Sequence, residues 1–365
     1  MKRLVFSEYM EWAKLHSESA YNLASSGVRP LPLRNLPITL ADLEITGPST
    51  YGYEPLQNAI ARYCKITANR VMAATGTSMA NHLAMAVCIE PGDDVLIEHP
   101  TYELLISTAR YLGAQVKRFQ RTYEDGFRVA PEAIARTITP QTRLIVLTNL
   151  HNPSGVMTET ATLHAIGEIA LRHGCKVLVD EVYLEAAFEH RQPPAALLGE
   201  HFITTSSLTK AFGLGGLRCG WVLAEPNLIK QMWRLNDLFG VVPAHLAERA
   251  SVTAFANIDS LAKRSRTLLS ENRKQWETFL AAHQMISAIQ SEHAIIAFPK
   301  LIDGNVDDFC VRLREHFDTT VAPGRFFEMP NHFRIAMGGE PAIFAAGLKR
   351  LGEALAEHAA TVQRS

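Results

Sequence analysis

Ser206-Ser207-Leu208-Thr209-Lys210-Ala211-Phe212-Gly213-Leu214-Gly215-Gly216-Leu217-Arg218-Cys219-Gly220-Trp221 is the stretch on which the reading of this chain turns. It follows one apolar run at 202–205 (FITT) and opens another at 219–223 (CGWVL). A lone lysine is far more often a solvated surface group than a functional one. Here Ser207 and Arg218 flank Lys210 with no apolar reason to be there, and the glycines between them permit close backbone approach. Upstream, Asp180-Glu181-Val182-Tyr183 closes the run KVLVD at 176–180. An amine, a guanidinium, a carboxylate and a phenol therefore gather at the ends of apolar runs.

Outward from this stretch the pattern is regular. Runs at 94–98, 115–119, 143–148, 176–180, 202–205 and 219–223 read as strands, and most lack the alternation of a half-exposed sheet. Helical patterns at 78–89, 102–112, 131–138 and 159–173 lie between them. This alternation predicts an α/β fold, a mostly parallel sheet between two helical layers, with ligands beyond the carboxyl ends of the strands. Residues 6–20 read as a short amphipathic helix, and 22–50, with four prolines, as an extended arm. After 226 the character changes: helices at 226–238 and 244–282, short strands at 294–298 and 333–337, and helices at 305–316 and 341–358 predict a smaller α+β domain. The expected division is 1–44, a helix and arm packing with the small domain; 45–260, the large domain; and 261–365, the small domain.

Composition narrows the function. The 365 residues carry a net charge of −1, which gives no electrostatic reason to expect nucleic acid or an anionic membrane as partner. The five cysteines are scattered without a C-x-x-C pair, as in the reduced thiols of a cytoplasmic protein, and no H-E-x-x-H or cysteine cluster suggests a metal. The N-terminus lacks a signal-like apolar core, and no apolar run approaches a membrane span.

Other residues stand at informative places. Gly76-Thr77-Ser78 precedes an apolar helix, where a cap and a phosphate site are compatible. Tyr102 opens a helix after a strand, either as core or as a ring that stacks on a planar ligand. Asn152 lies in Thr148-Asn149-Leu150-His151-Asn152-Pro153-Ser154-Gly155, which on its own reads as a turn; His151 reads as structural. Arg334 interrupts an apolar strand, which calls for a buried partner or a carboxylate to clamp. Pyridoxal 5′-phosphate (PLP) demands these parts together: a lysine for its aldehyde (Lys210), a carboxylate for its ring nitrogen (Asp180), donors for its 3′-oxygen (Tyr183, Asn152) and a helix start with side-chain donors for its phosphate.

Taken in chain order these motifs resemble, over nearly the whole chain, fold-type I PLP-dependent enzymes of the class I/II aminotransferase family. The resemblance is carried by Ser207-x-x-Lys210 with Arg218 beyond it, Asp180-x-x-Tyr183, Asn152-Pro153-Ser154-Gly155 and Val321-Ala322-Pro323-Gly324. Two N-terminal segments add to it, Asn22-Leu23-Ala24-Ser25-Ser26-Gly27 and Tyr51-Gly52-Tyr53-Glu54-Pro55-Leu56. Leu150 departs from it, standing where many members carry proline. The resemblance implies an aminotransferase that moves an amino group between an amino acid and a 2-oxo acid through a Lys210 Schiff base, with Asp180 and Tyr183 as further catalytic residues. It implies Gly76, Thr77, Ser78, Tyr102, Asn152, Ser207 and Arg218 around the cofactor, and Arg334, Gly27 and Asn152 around the substrate. It also implies a homodimer with a composite site, in which Tyr51 or Tyr53 reaches the neighbour's phosphate. No arginine stands out for a second substrate carboxylate. The same motifs serve decarboxylases, β- or γ-lyases, cyclising synthases and oxidases. A non-catalytic sensor fused to a DNA-binding module lacks room before the fold-like region, and the glycines at 213–216 lack the spacing of a nicotinamide site.

Overall fold

In the computed structural model, which describes residues 6–362, seven strands form one sheet. They are β1 (Val71–Thr75), β2 (Asp94–His99), β3 (Gln115–Gln120), β4 (Thr142–Thr148), β5 (Lys176–Asp180), β6 (Phe202–Ser207) and β7 (Cys219–Leu223). Their spatial order is β1-β7-β6-β5-β4-β2-β3. β7 runs antiparallel to both of its neighbours, and every other pairing is parallel. The helices are α1 (Glu8–Leu15), α2 (Glu54–Cys64), α3 (Gly76–Cys88), α4 (Glu103–Tyr111), α5 (Pro131–Thr137), α6 (Thr160–His173), α7 (Thr209–Phe212), α8 (Pro226–Asn236), α9 (His245–Ala256), α10 (Ile258–Ala282), α11 (Val306–Phe317) and α12 (Pro341–Val362).

The absence of alternation in the central strands has a direct cause. Leu144, Val146, Leu178 and Ile203 pack toward Leu83 of α3 and Met232 of α8, whereas Ile145, Leu147, Val177, Val179 and Phe202 pack toward Ile134 of α5 and Ile166 of α6. Both faces are buried, so both sets are apolar. β1 is the strand missing from the expected set: VMAAT is poor in β-branched residues, and its pairing with β7 rather than its composition makes it a strand. α2 is likewise an added element, and the long helix expected over 244–282 is two, broken at Asn257, whose side-chain amide donates to the Thr253 carbonyl at 2.8 Å.

Beyond α10 the strands are short. β8 (Phe333–Ala336) pairs antiparallel with Ile296–Ala297 and with Ala322–Pro323. The N-terminal segment joins this region: Tyr21–Asn22 pairs in parallel with Thr319–Thr320, and the Ala336 amide donates to the Leu23 carbonyl. Among the described residues no helix is long and apolar enough to cross a membrane.

Candidate active site

The carboxyl ends of β4, β5 and β6 and the start of α3 open on a cavity of about 370 Å³. Nine of the residues singled out in the sequence line it: Thr77, Ser78, Tyr102, Asn152, Asp180, Tyr183, Ser207, Lys210 and Arg218. The remaining lining includes Tyr9, Met10, Trp12, Ala13 and His16 of the N-terminal region.

Lys210 sits in the first turn after β6, where the chain leaves the sheet for α7. Its Nζ donates to Ser26 Oγ at 2.6 Å. Burial, with the Arg334 charge adding to it, lowers its pKa from 10.5 to about 8. The uncharged amine is the form that attacks a carbonyl, so aldehyde capture by the cofactor-free protein is expected to accelerate as pH rises toward about 8 and to level off above it. Stopped-flow absorbance against pH checks this, and a rate still climbing past pH 9.5 contradicts it.

Asp180 ends β5 with both oxygens engaged. Asn81 Nδ2 donates to Oδ2 at 2.7 Å, and the Val182 amide donates to Oδ1 at 3.1 Å. Asn81 is itself oriented by Thr205 Oγ1, which donates to its Oδ1 at 2.6 Å. Burial nevertheless pushes the carboxyl up to about 6, so the site holds an acid that gains from a cationic partner. Tyr183 is buried beside it, and desolvation raises its phenol to about 12.

The start of α3 forms a cradle. Gly76 has φ +77°, and a Cβ there would meet Arg218 Nη2 at 2.2 Å. A Cβ at Gly220 would stand 2.4 Å from the Gly76 carbonyl carbon. Only glycine lets α3, β7 and the guanidinium converge this closely. Thr77 Oγ1 is buried there without a hydrogen-bond partner, and the two Arg218 hydrogen bonds, to the Thr75 and Gly215 carbonyls, are long at 3.4 Å. Unused donors at a helix start form an anion site.

Other expected residues lie outside the cavity lining. Arg334 is fully buried just behind the wall: Nη1 donates to Asn152 Oδ1 at 2.9 Å, Nη2 to the Tyr9 hydroxyl at 2.7 Å, and Nε has no partner. Gly27 backs Lys210, where a Cβ would touch the Lys210 carbonyl oxygen at 3.3 Å. Tyr51 is remote and 57% exposed, its hydroxyl donating to Asp237 Oδ2 at 3.0 Å. Tyr53 packs edge-on against His245. His151 is buried between Ser154 Oγ and the Pro100 carbonyl, in keeping with a structural part.

Ser26 belongs to the N-terminal segment that carries the resemblance, but two residues at the site escape sequence reasoning: Asn81 and Tyr9. Asn81 leaves a faint trace as a polar residue, with His82 beside it, in the mostly apolar run from Met79 to Cys88. Tyr9 leaves none, because its partner Arg334 lies 325 positions away.

The sequence profile of the family described as "Aminotransferase class I and II" matches residues 44–351. The chain belongs to the class I and II aminotransferase family. Among the relatives of this aminotransferase is the capreomycidine synthase of Streptomyces vinaceus, 28% identical over 319 residues that cover 86% of this chain and 81% of that protein. Another is the aspartate aminotransferase of Sulfolobus acidocaldarius, 25% identical over 330 residues covering 84% and 81%. A PLP-dependent aminotransferase from Streptococcus suis superposes with a TM-score of 0.91 over 97% of this chain and 99% of that one, at 24% identity. The PLP-dependent cyclase OrfR superposes at 0.89 over 98% and 99%, with 27% identity. The aminotransferase is thus a PLP-dependent enzyme of fold type I. Its cavity fits that cofactor: an amine whose pKa burial lowers to about 8, a buried acid in want of a cation, and an orphan hydroxyl at a helix start face one space.

Proposed function

We propose that the enzyme transfers an amino group between an amino acid and a 2-oxo acid. The observation that carries this reading is the convergence of Lys210, Asp180, Tyr183, Asn152 and Arg218 on one cavity with Arg334 directly behind it. In this reading Lys210 holds PLP covalently, Asp180 takes its ring nitrogen, and Tyr183 and Asn152 take its 3′-oxygen. Tyr102 would offer its ring to the cofactor, and the Gly76 turn, Thr77, Ser78, Ser207 and Arg218 would hold the phosphate. When bound, the cofactor supplies a carbonyl carbon for the substrate amine and a ring that withdraws electrons from the substrate Cα.

The rest is done by this chain. Arg334 and the Gly27 backbone hold the substrate carboxylate. Once displaced from the cofactor, Lys210 takes the Cα proton and returns it on the other side of the transfer, and its lowered pKa suits it to both directions. Asp180 keeps its negative charge opposite the ring nitrogen. Arg334→Lys is expected to raise KM for the amino acid about 10- to 100-fold with a smaller change in kcat, because a lysine cannot reproduce two parallel donors. Steady-state kinetics check this, and an unchanged KM removes Arg334 from substrate binding.

The enzyme is further read as a cytoplasmic homodimer divided near residues 44 and 260, with Tyr51 directed to the partner's phosphate. Exposed Leu40, Ile45, Leu238, Phe239 and Val241 support such a pairing. A second reading, a cyclising synthase, has the capreomycidine synthase and OrfR likenesses in its favour. Incubation with single amino acids separates the two. Stoichiometric pyridoxamine phosphate and a 2-oxo acid support transfer; a cyclised or dehydrated amino acid with the cofactor unchanged supports the other.

A further inference from the structure

Beneath the site lies a buried ion pair that the proposed reaction does not use. Glu98, at the end of β2, and Arg121, just after β3, have fully buried side chains, and Arg121 Nη1 donates to Glu98 Oε2 at 2.7 Å. Arg121 Nε also donates to the Phe127 carbonyl at 2.6 Å. The other carboxylate oxygen faces β4: Glu98 Oε1 accepts from the Thr148 amide at 2.7 Å and from Thr148 Oγ1 at 2.6 Å. Thr101 Oγ1 adds a longer contact at 3.4 Å. Burial raises the Glu98 carboxyl, but the Arg121 guanidinium and the Thr148 amide can only donate, one to each of its oxygens, which holds it as the acceptor here.

This settles the direction of one proton. A hydroxyl has a single hydrogen, and that of Thr148 is committed to Glu98. Its lone pairs must then serve as acceptor, and Thr148 Oγ1 does accept from the Asn152 amide at 2.8 Å. The side chain of the same Asn152 accepts from Arg334 Nη1 at 2.9 Å. Donors therefore converge on Glu98 from two sides, Arg121 directly and the Asn152 amide through the Thr148 hydroxyl, and the Asn152 side chain in turn accepts from the Arg334 guanidinium.

We propose that Glu98, paired with Arg121, is a positioning residue that acts through Thr148 to fix the Asn152 turn and with it the guanidinium of Arg334. The inference rests on the reading of Arg334 as the clamp for the substrate carboxylate. The surrounding loop has anchors of its own, since Asn149 exchanges two hydrogen bonds with Thr158 and His151 contacts the Pro100 carbonyl. Removal of Thr148 Oγ1 thus displaces Asn152 locally and leaves the loop in place.

The test uses the loaded enzyme and 2-methylalanine, an amino acid without a Cα proton, whose binding is followed by the change in cofactor absorbance without turnover. Thr148→Val keeps the shape and the ion pair and removes the acceptor for Asn152. It is expected to weaken 2-methylalanine binding about 10-fold, while the absorbance of the lysine-linked cofactor persists. Thr148→Ser restores the oxygen and is expected to bind within about 2-fold of wild type. Glu98→Met, where it folds by apoprotein melting, is expected to weaken binding as Thr148→Val does, because the Thr148 hydroxyl loses the acceptor that orients it; wild-type binding by the folded variant overturns the inference. Wild-type binding by Thr148→Val, or equal weakness of Thr148→Ser, overturns the inference alone. A wild-type protein that shows lysine-linked absorbance but does not bind 2-methylalanine overturns the Arg334 reading and the inference with it.

Discussion

A Lys210→Ala protein is expected to fold, to lack the visible absorbance of a lysine-linked cofactor, and to turn over amino acids about 10⁴-fold more slowly than wild type. The same nitrogen is asked to hold the cofactor and to carry the Cα proton, so its removal takes both contributions at once. The fold is expected to survive because the lysine does not stabilise the cofactor-free protein as a cation. Its pKa falls from 10.5 to about 8 on burial, so at pH 7 the folded state bears the cost of a charge it does not favour. Absorbance, circular dichroism and single-turnover kinetics on one preparation check the three parts. A variant that retains the visible band removes Lys210 from the role assigned to it.

An Asp180→Asn protein is expected to keep the covalent link and lose activity by about 10²- to 10³-fold, the usual range for removing one preorganised charge from a reacting system. Its stability carries a second signature. In wild type the folded carboxyl has its pKa raised from 3.8 to about 6 by burial. A carboxyl raised in this way contributes most to stability below its unfolded pKa, and that contribution is lost as pH rises through about 6. Asparagine cannot titrate. Between pH 3 and pH 8 the stability of the cofactor-free variant is therefore expected to shift relative to wild type by about 3 kcal/mol in the variant's favour. Denaturant titrations at several pH values check this, and parallel curves for the two proteins show that Asp180 does not carry the buried charge.

Much of this site is legible because its parts are contiguous in sequence. Ser207, Lys210 and Arg218 lie along the connection from the end of β6 to β7, and Asp180 and Tyr183 lie at and just beyond the end of β5, so the sheet delivers them together. The chemistry that orients them is less visible. Asn81 reaches Asp180 across 99 positions, and Tyr9 reaches Arg334 from the other end of the chain. Glu98 and Arg121 are ordinary charges at strand ends until the fold buries both. Local propensity fails in the same way at β1, which exists because β7 offers it a partner. It fails again at Asn257, where a side-chain contact stops a helix that composition would continue.

Borohydride reduction of the cofactor-loaded enzyme followed by peptide mapping tests the central claim most directly. The reduced phosphopyridoxyl group is expected on the peptide that contains Lys210 and on no other. Its recovery on a different lysine, with Lys210 unmodified, contradicts the account.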